Sequence, residues 1–186
     1  MRGAVFLDKD GTLVEDVPYN ADPARLRLTA GAAGALARLR ACGYPLIVIT
    51  NQPGVARGRL HEAEVRRLRA HLLADAGLGL ADLYYCPHDP AGSVPAYAVP
   101  CGCRKPAPGL ILQACAEHGL DPRRSWCIGD ILDDVEAGRR AGCRTVLLDN
   151  GHETEWRRSP LRQPDHTVTD LVQAAALIAG QAERRA

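Results

Sequence analysis

Ala4-Val5-Phe6-Leu7-Asp8-Lys9-Asp10-Gly11-Thr12 decides how the rest of the chain is read. Four consecutive apolar residues, too few for a helix, read as a strand buried on both faces, as in a parallel sheet. Two carboxylates at i and i+2 follow directly, and Gly11 allows the turn that brings them into one crevice. Like charges held side by side repel unless a cation or a proton separates them, and a divalent metal would serve.

Outward from this stretch the same alternation continues. Residues 45–49, 83–85, 126–128 and 145–148 are short apolar runs that read as further strands. Between them lie segments of helical spacing: one over residues 32–41, and one from near Leu60 with Val65, Leu68, Leu72 and Ala76 on one face. Another carries Leu110, Ile111, Ala114, Cys115 and His118; a fourth follows Asp133, and the last starts near Asp170. Strand and helix in alternation predict an α/β fold, a doubly wound parallel sheet formed as a single domain over residues 1–186. Ligands then bind outside the carboxyl ends of the strands. Residues 183–186 read as a frayed, solvated tail.

The bulk numbers narrow the partners. With 46% hydrophobic residues among 186, the chain can bury one full core. A formal net charge of +1 and 4% aromatics give no reason to expect nucleic acid or an anionic membrane as partner. The apolar run after Met1-Arg2 is too short for a signal peptide or a membrane span, which predicts a cytoplasmic location. Seven cysteines, an odd number, argue against a disulfide framework. Cys42, Cys115, Cys127 and Cys143 read as small core residues.

Three more motifs stand at predicted strand ends or in a rigid loop. Thr50-Asn51-Gln52-Pro53-Gly54 offers a hydroxyl and amides to phosphoryl oxygens. In Arg104-Lys105-Pro106 the lysine can neutralise a phosphoryl group and the arginine can fork onto a second phosphate. In Gly129-Asp130-Ile131-Leu132-Asp133-Asp134, Asp130 can complete a Mg²⁺ site with Asp8, while one of Asp133 and Asp134 orients the site and the other caps a helix.

Cys86-Pro87-His88 and Cys101-Gly102-Cys103 add three thiols and one imidazole, a closed Cys₃His set suited to structural Zn²⁺. Bound zinc would order the Pro- and Gly-rich loop at 86–104 and hold Arg104 and Lys105 in place. Between Thr12 and Thr50 there is room for a helix and a strand, but not for a cap domain. Residues 14–24, residues 52–59 and the zinc loop are the expected roof of the site.

The four motifs, in order from Asp8 to Asp134, resemble those of the haloacid dehalogenase-like phosphatases. The resemblance implies a Rossmann-like core and a mechanism. Asp8 attacks phosphorus, Asp10 is acid then base, and Thr50 and Lys105 stabilise the phosphoryl oxygens. Mg²⁺ is held by Asp8, the Asp10 carbonyl and Asp130. The Cys-Pro-His and Cys-x-Cys-Arg-Lys-Pro elements are similar to a zinc-containing branch, which includes histidinol-phosphate phosphatases and D-glycero-D-manno-heptose 1,7-bisphosphate 7-phosphatases. By that resemblance the partner is a small phosphorylated metabolite, with a heptose bisphosphate cut at its 7-phosphate as the expected substrate. Asp16, Val17, Pro18 and Tyr19, with Asn51, Gln52 and Pro53, would line the sugar pocket, and Arg104 would hold the distal phosphate. Ile131 departs from the heptose branch, where a lysine commonly follows the metal aspartate, and Glu15 and Asp16 could instead face the amine of histidinol phosphate. A phospho-accepting signalling domain and a zinc-dependent interaction module remain readings of another class.

Overall fold

The structure is a computed structural model that describes residues 1–184. Six parallel strands form one sheet: β1 (Val5–Leu7), β2 (Leu46–Asn51), β3 (Asp82–Cys86), β4 (Trp126–Gly129), β5 (Arg144–Leu148) and β6 (His166–Val168). Their spatial order is β3-β2-β1-β4-β5-β6. Four α-helices connect strands, α1 (Ala32–Ala41), α2 (Glu62–Ala74), α3 (Gly109–His118) and α4 (Leu132–Ala141), and α5 (Leu171–Glu183) follows β6.

Side-chain alternation on the strands builds the two cores. Val5 and Leu7 point to one face, with Val48, Trp126 and Ile128, and bury Leu36 and Leu39 of α1, Leu68 and Leu72 of α2, and Ile178 of α5. Ala4 and Phe6 point to the other, with Ile47, Ile49 and Cys127, and bury Leu110 and Ile111 of α3 and Ala137 of α4. Both faces are covered, so the central strands are apolar throughout, as the sequence pattern requires. The roof over the carboxyl edge is made of loops, with no separate cap among the described residues.

The strand order fixes where a ligand can sit. From β1 the chain winds one way through β2 and β3, then returns to β4 and winds the other way. β1 and β4 are therefore the neighbours at which the winding reverses, and a crevice opens beyond their carboxyl ends. Asp8 is the residue after β1, its N–H bonded to the Ile128 carbonyl at 2.9 Å, and Asp130 is the residue after β4.

Three expectations need correction. β6 has no counterpart in the sequence reading. It is three residues long, at the sheet edge and only partly buried, so it lacks the apolar run that marks the other strands. Cys42 is only partly buried, because it caps the end of α1 rather than facing inwards. Glu183, read as part of a frayed tail, is the last residue of α5, and Arg184 caps it; Arg185 and Ala186 lie outside the described residues. No helix of the described residues is long and apolar enough to cross a membrane.

Candidate active site and metal centres

Gly11 turns the chain after β1 with φ of +78°, a left-handed conformation that an L side chain rarely adopts. A Cβ there would also overlap the Asp130 carboxylate and the His152 ring. The turn is closed by the N–H groups of Leu13 and Val14, which donate to the Lys9 carbonyl at 3.0 and 2.9 Å. It brings the loop after β1 against the loop after β4, where Thr12 Oγ1 donates to Asp130 Oδ1 at 3.1 Å.

Lys105 reaches the same point from the zinc-loop side. Its Nζ lies 2.5 Å from Asp8 Oδ1 and 2.6 Å from Asp134 Oδ1, and donates to the Ile49 carbonyl at 3.0 Å. The Lys105 side chain is 4% exposed. Burial alone would lower its pKa, but Asp134 and Asp8 more than offset that and hold it above the ordinary lysine range. Asn51 locates this lysine: Nδ2 donates to the Lys105 carbonyl at 3.1 Å, and Oδ1 accepts from the Lys105 N–H at 3.0 Å. Asn51 thus spends both ends of its amide on Lys105, although the sequence placed it among the sugar contacts.

Asp8, Asp130 and Asp134 offer oxygens that lie within 4.8 Å of one another. One ammonium cannot balance three buried carboxylates. Burial, and then the charge of Asp8, push Asp130 up to about 7, and burial raises Asp134 as well. An all-oxygen, acidic, partly enclosed set of this kind suits a hard divalent cation. Lys105→Ala should leave Asp8 and Asp134 facing each other without their counter-ion. A loss on the order of 3 kcal/mol in urea unfolding is expected; an unchanged midpoint would show that the cluster does not depend on the lysine.

Asp10 is set beside this cluster. Lys9, almost wholly buried, pairs with one of its oxygens, and Gln52 Nε2 donates to the other at 3.2 Å. Burial raises its pKa; Lys9 opposes this and the Asp8 charge adds to it. Asp10 forms part of a cavity of about 190 Å³ whose other walls are Asp16, Val17, Tyr19, Asn20, Asn51, Gln52, Pro53 and Gly54. Six of the residues expected to bind sugar are in that lining. Pro18 is exposed outside it, and Arg104 stands apart with a guanidinium nitrogen 3.2 Å from the His88 carbonyl. The Thr50 hydroxyl is 2% exposed and meets the Asn51 carbonyl and Gln52 Nε2, at 3.3 and 3.1 Å. It is joined to Asp10 through Gln52. A larger cavity of about 630 Å³, lined by Leu132, Trp156 and Arg162 among others, includes none of Asp8, Asp10, Asp130 and Lys105.

Residues 102–174 match the HAD-hydrolase-like family. The chain is 41% identical over 155 residues to the D-glycero-beta-D-manno-heptose-1,7-bisphosphate 7-phosphatase of Pasteurella multocida, covering 81% of this chain and 84% of the relative. It is 38% identical over 153 residues to the D-glycero-alpha-D-manno-heptose-1,7-bisphosphate 7-phosphatase of Photorhabdus laumondii, covering 80% and 84%. The chain belongs to the haloacid dehalogenase-like phosphatases. Among solved structures, the D,D-heptose 1,7-bisphosphate phosphatase of B. bronchiseptica, complexed with magnesium and phosphate, superposes with a TM-score of 0.74 at 26% identity, covering 96% of this chain and 99% of that one.

This haloacid dehalogenase-like phosphatase carries a second cluster beside the candidate site. Cys86 ends β3 opposite Asn51, and its Sγ lies 3.1 Å from Cys103 Sγ and 3.6 Å from Cys101 Sγ. Cys101 and Cys103 are 3.3 Å apart, and His88 Nδ1 is 3.3 Å from Cys103 Sγ and 3.6 Å from Cys86 Sγ. A tetrahedron of zinc–sulfur bonds of ~2.3 Å has edges of ~3.8 Å. Three thiols and one imidazole gathered slightly inside that size form a donor set that fits zinc.

The roof of this phosphatase site is joined by Arg57. Its guanidinium meets Asp89 at 2.7 Å in the loop after β3, and the Tyr19 hydroxyl at 3.1 Å in the loop after β1. Ser93 and Val94 N–H groups both donate to the Ala56 carbonyl at 2.8 Å. All three expected roof segments therefore touch. Asp134, left open between two roles in the sequence reading, does both: it pairs with Lys105, and its Oδ2 accepts from the Ile131 N–H at 3.3 Å at the start of α4. Asp133 is turned away, paired with Arg162 at 2.5 Å. Lys9 and His152 were not foreseen. A lysine between two aspartates carries no signal of burial, and His152 stands in a polar loop with no metal-ligand spacing around it.

Proposed function

We propose that the chain removes the 7-phosphate of D-glycero-D-manno-heptose 1,7-bisphosphate by way of a phosphoryl group carried on Asp8. The observation that carries this reading is the placement of Asp8 against Lys105, with Asp10 at the wall of the adjoining cavity. The names of the relatives supply the substrate.

The Asp8 carboxylate attacks phosphorus, and the bond from phosphorus to the sugar oxygen breaks, leaving its electron pair on that oxygen. Asp10, kept protonated more readily by its burial, gives that oxygen its proton. Asp10 then takes a proton from water as the water oxygen attacks phosphorus. The Asp8–phosphorus bond breaks, the carboxylate is restored, and inorganic phosphate leaves. Lys105, held against Asp8, would neutralise the phosphoryl charge and the Thr50 hydroxyl would donate to it, so positioning and electrostatics would supply most of the rate. Magnesium, when held by Asp8, the Asp10 carbonyl and Asp130, supplies the positive charge that lets a phosphate enter this acidic edge.

Zinc is the proposed occupant of Cys86, His88, Cys101 and Cys103. Arg104 follows Cys103 directly and bonds the carbonyl of His88, so the loop that holds the metal also aims this guanidinium. With Ile131 at the start of α4 in place of a cation, Arg104 is the proposed contact for the distal phosphate. A thiolate-rich zinc set belongs in a reducing compartment, which supports a cytoplasmic location.

Asp16 favours a second reading, because a carboxylate in the cavity wall could face the amine of histidinol phosphate. Direct competition between the two substrates separates the readings. The heptose bisphosphate should win, and Arg104→Ala should lower kcat/KM for it by about 2–4 kcal/mol while costing far less for a monophosphate. A preference for histidinol phosphate, or equal losses on both kinds of substrate, would overturn the assignment.

A further inference from the structure

The loop after β5 takes no part in the reaction as written, yet three of its side chains reach the two loops that form the acidic cluster. Asn150 Nδ2 donates to the Gly11 carbonyl at 2.9 Å. His152 Nδ1 lies 2.7 Å from Asp130 Oδ2. An Asp130 ionised to hold a cation can only accept, which makes Nδ1 the donor of this bond. Glu153 accepts the Leu132 N–H at 2.7 Å with one oxygen, at the first residue of α4, and the N–H groups of Glu155 and Trp156 at 2.8 and 3.1 Å with the other. The loop is thus tied down on both sides of His152, once to the turn after β1 and once to the helix after β4. Gly11 leaves the space that the imidazole and the Asp130 carboxylate share.

Asp130 is held from its other side by Thr12, which donates to Oδ1 at 3.1 Å. Each carboxylate oxygen therefore receives one hydrogen bond and keeps a lone pair free. That is how a metal-binding carboxylate is fixed in one orientation without being used up.

We infer that His152 is a positioning residue: it fixes the Asp130 carboxylate for the divalent cation, and Asn150 and Glu153 hold the loop that carries it. The inference rests on the proposed role of Asp130 as a metal ligand. The His152 side chain is 40% exposed, so removing it opens no cavity in the core. Its loss should be felt in metal binding far more than in unfolding.

The test is calorimetric titration of Mg²⁺ alone, without substrate, into the full chain with its zinc set intact. Wild type is compared with His152→Ala, His152→Gln and Asp130→Asn, and the unfolding temperature of each is read alongside. His152→Ala should weaken Mg²⁺ binding by about 10–100-fold at an unfolding temperature close to wild type. His152→Gln keeps a side-chain donor and should recover most of the affinity. Asp130→Asn should bind Mg²⁺ more weakly still. Wild-type affinity in His152→Ala, with Asp130→Asn disabled, would overturn the role of His152 alone. Wild-type affinity in Asp130→Asn would overturn the metal site itself. Should His152→Ala fail to fold, His152→Leu, which keeps bulk and removes the donor, decides: weakened Mg²⁺ binding supports the inference and wild-type affinity overturns it.

Discussion

Asp8→Asn should abolish turnover while leaving the fold in place. The amide has nearly the same shape, but it is a far weaker nucleophile and a poorer metal ligand. Removing the nucleophile from a group of residues that act as a unit costs on the order of 10⁴–10⁶ in kcat. Asp8 sits between a buried ammonium and two other buried carboxylates, and the substitution removes one of three like charges. Stability should therefore change little, since the lost ion pair with Lys105 is offset by relief of repulsion from Asp130 and Asp134. The checks are kcat with a phosphate monoester and the circular-dichroism spectrum. A folded Asp8→Asn protein with wild-type turnover would end the assignment.

Cys103→Ser has the second largest expected effect, and it acts through the fold. Cys103 has the closest contacts in the Cys₃His set, at 3.1 Å to Cys86, 3.3 Å to Cys101 and 3.3 Å to His88. Without it the remaining three donors cannot close the tetrahedron around the proposed zinc, and the loop at 86–104 would lose the ordering free energy that zinc binding is proposed to supply. A loss of about 3–5 kcal/mol, similar to breaking a buried charged pair, corresponds to a fall of roughly 10 °C in Tm for a chain of this size. Activity should fall with it, because Arg104 and Lys105 follow Cys103 directly. Metal analysis of the purified wild type should find one zinc per chain. A zinc-free protein with unchanged Tm and full activity would remove the structural role assigned to this cluster.

The sequence showed most of the sheet because burial on both faces leaves a plain trace: β1, β2, β4 and β5 are runs of apolar residues between polar turns. β6 left none, being short, partly polar and paired on one side only. The site was legible where chemistry demands a residue at a strand end, as with Asp8 and Asp130, or in a tight pair, as with Cys101 and Cys103. What linear spacing could not show was how polar side chains are shared out in space. Asn51 sits among residues expected to meet sugar, but its amide brackets the backbone of Lys105. Asp134 lies in the first turn of α4, close enough to the end of β4 to pair with Lys105 and enter the acidic cluster rather than only capping the helix. His152 comes from the loop after β5 and meets Asp130 after β4, a contact that the pairing of these two strands creates.

The central claim is that phosphate passes through Asp8, and trapping the phosphoryl-enzyme tests it most directly. The full chain, with Mg²⁺ and a phosphorylated sugar, is quenched with acid during turnover, reduced with borohydride, digested and examined by mass spectrometry. An acyl phosphate on Asp8 is reduced to an alcohol, so homoserine should be found at position 8, and only when substrate and Mg²⁺ were both present. Homoserine at Asp10, Asp130 or Asp134 instead, or an unmodified residue 8 in enzyme quenched during sustained turnover, would contradict it.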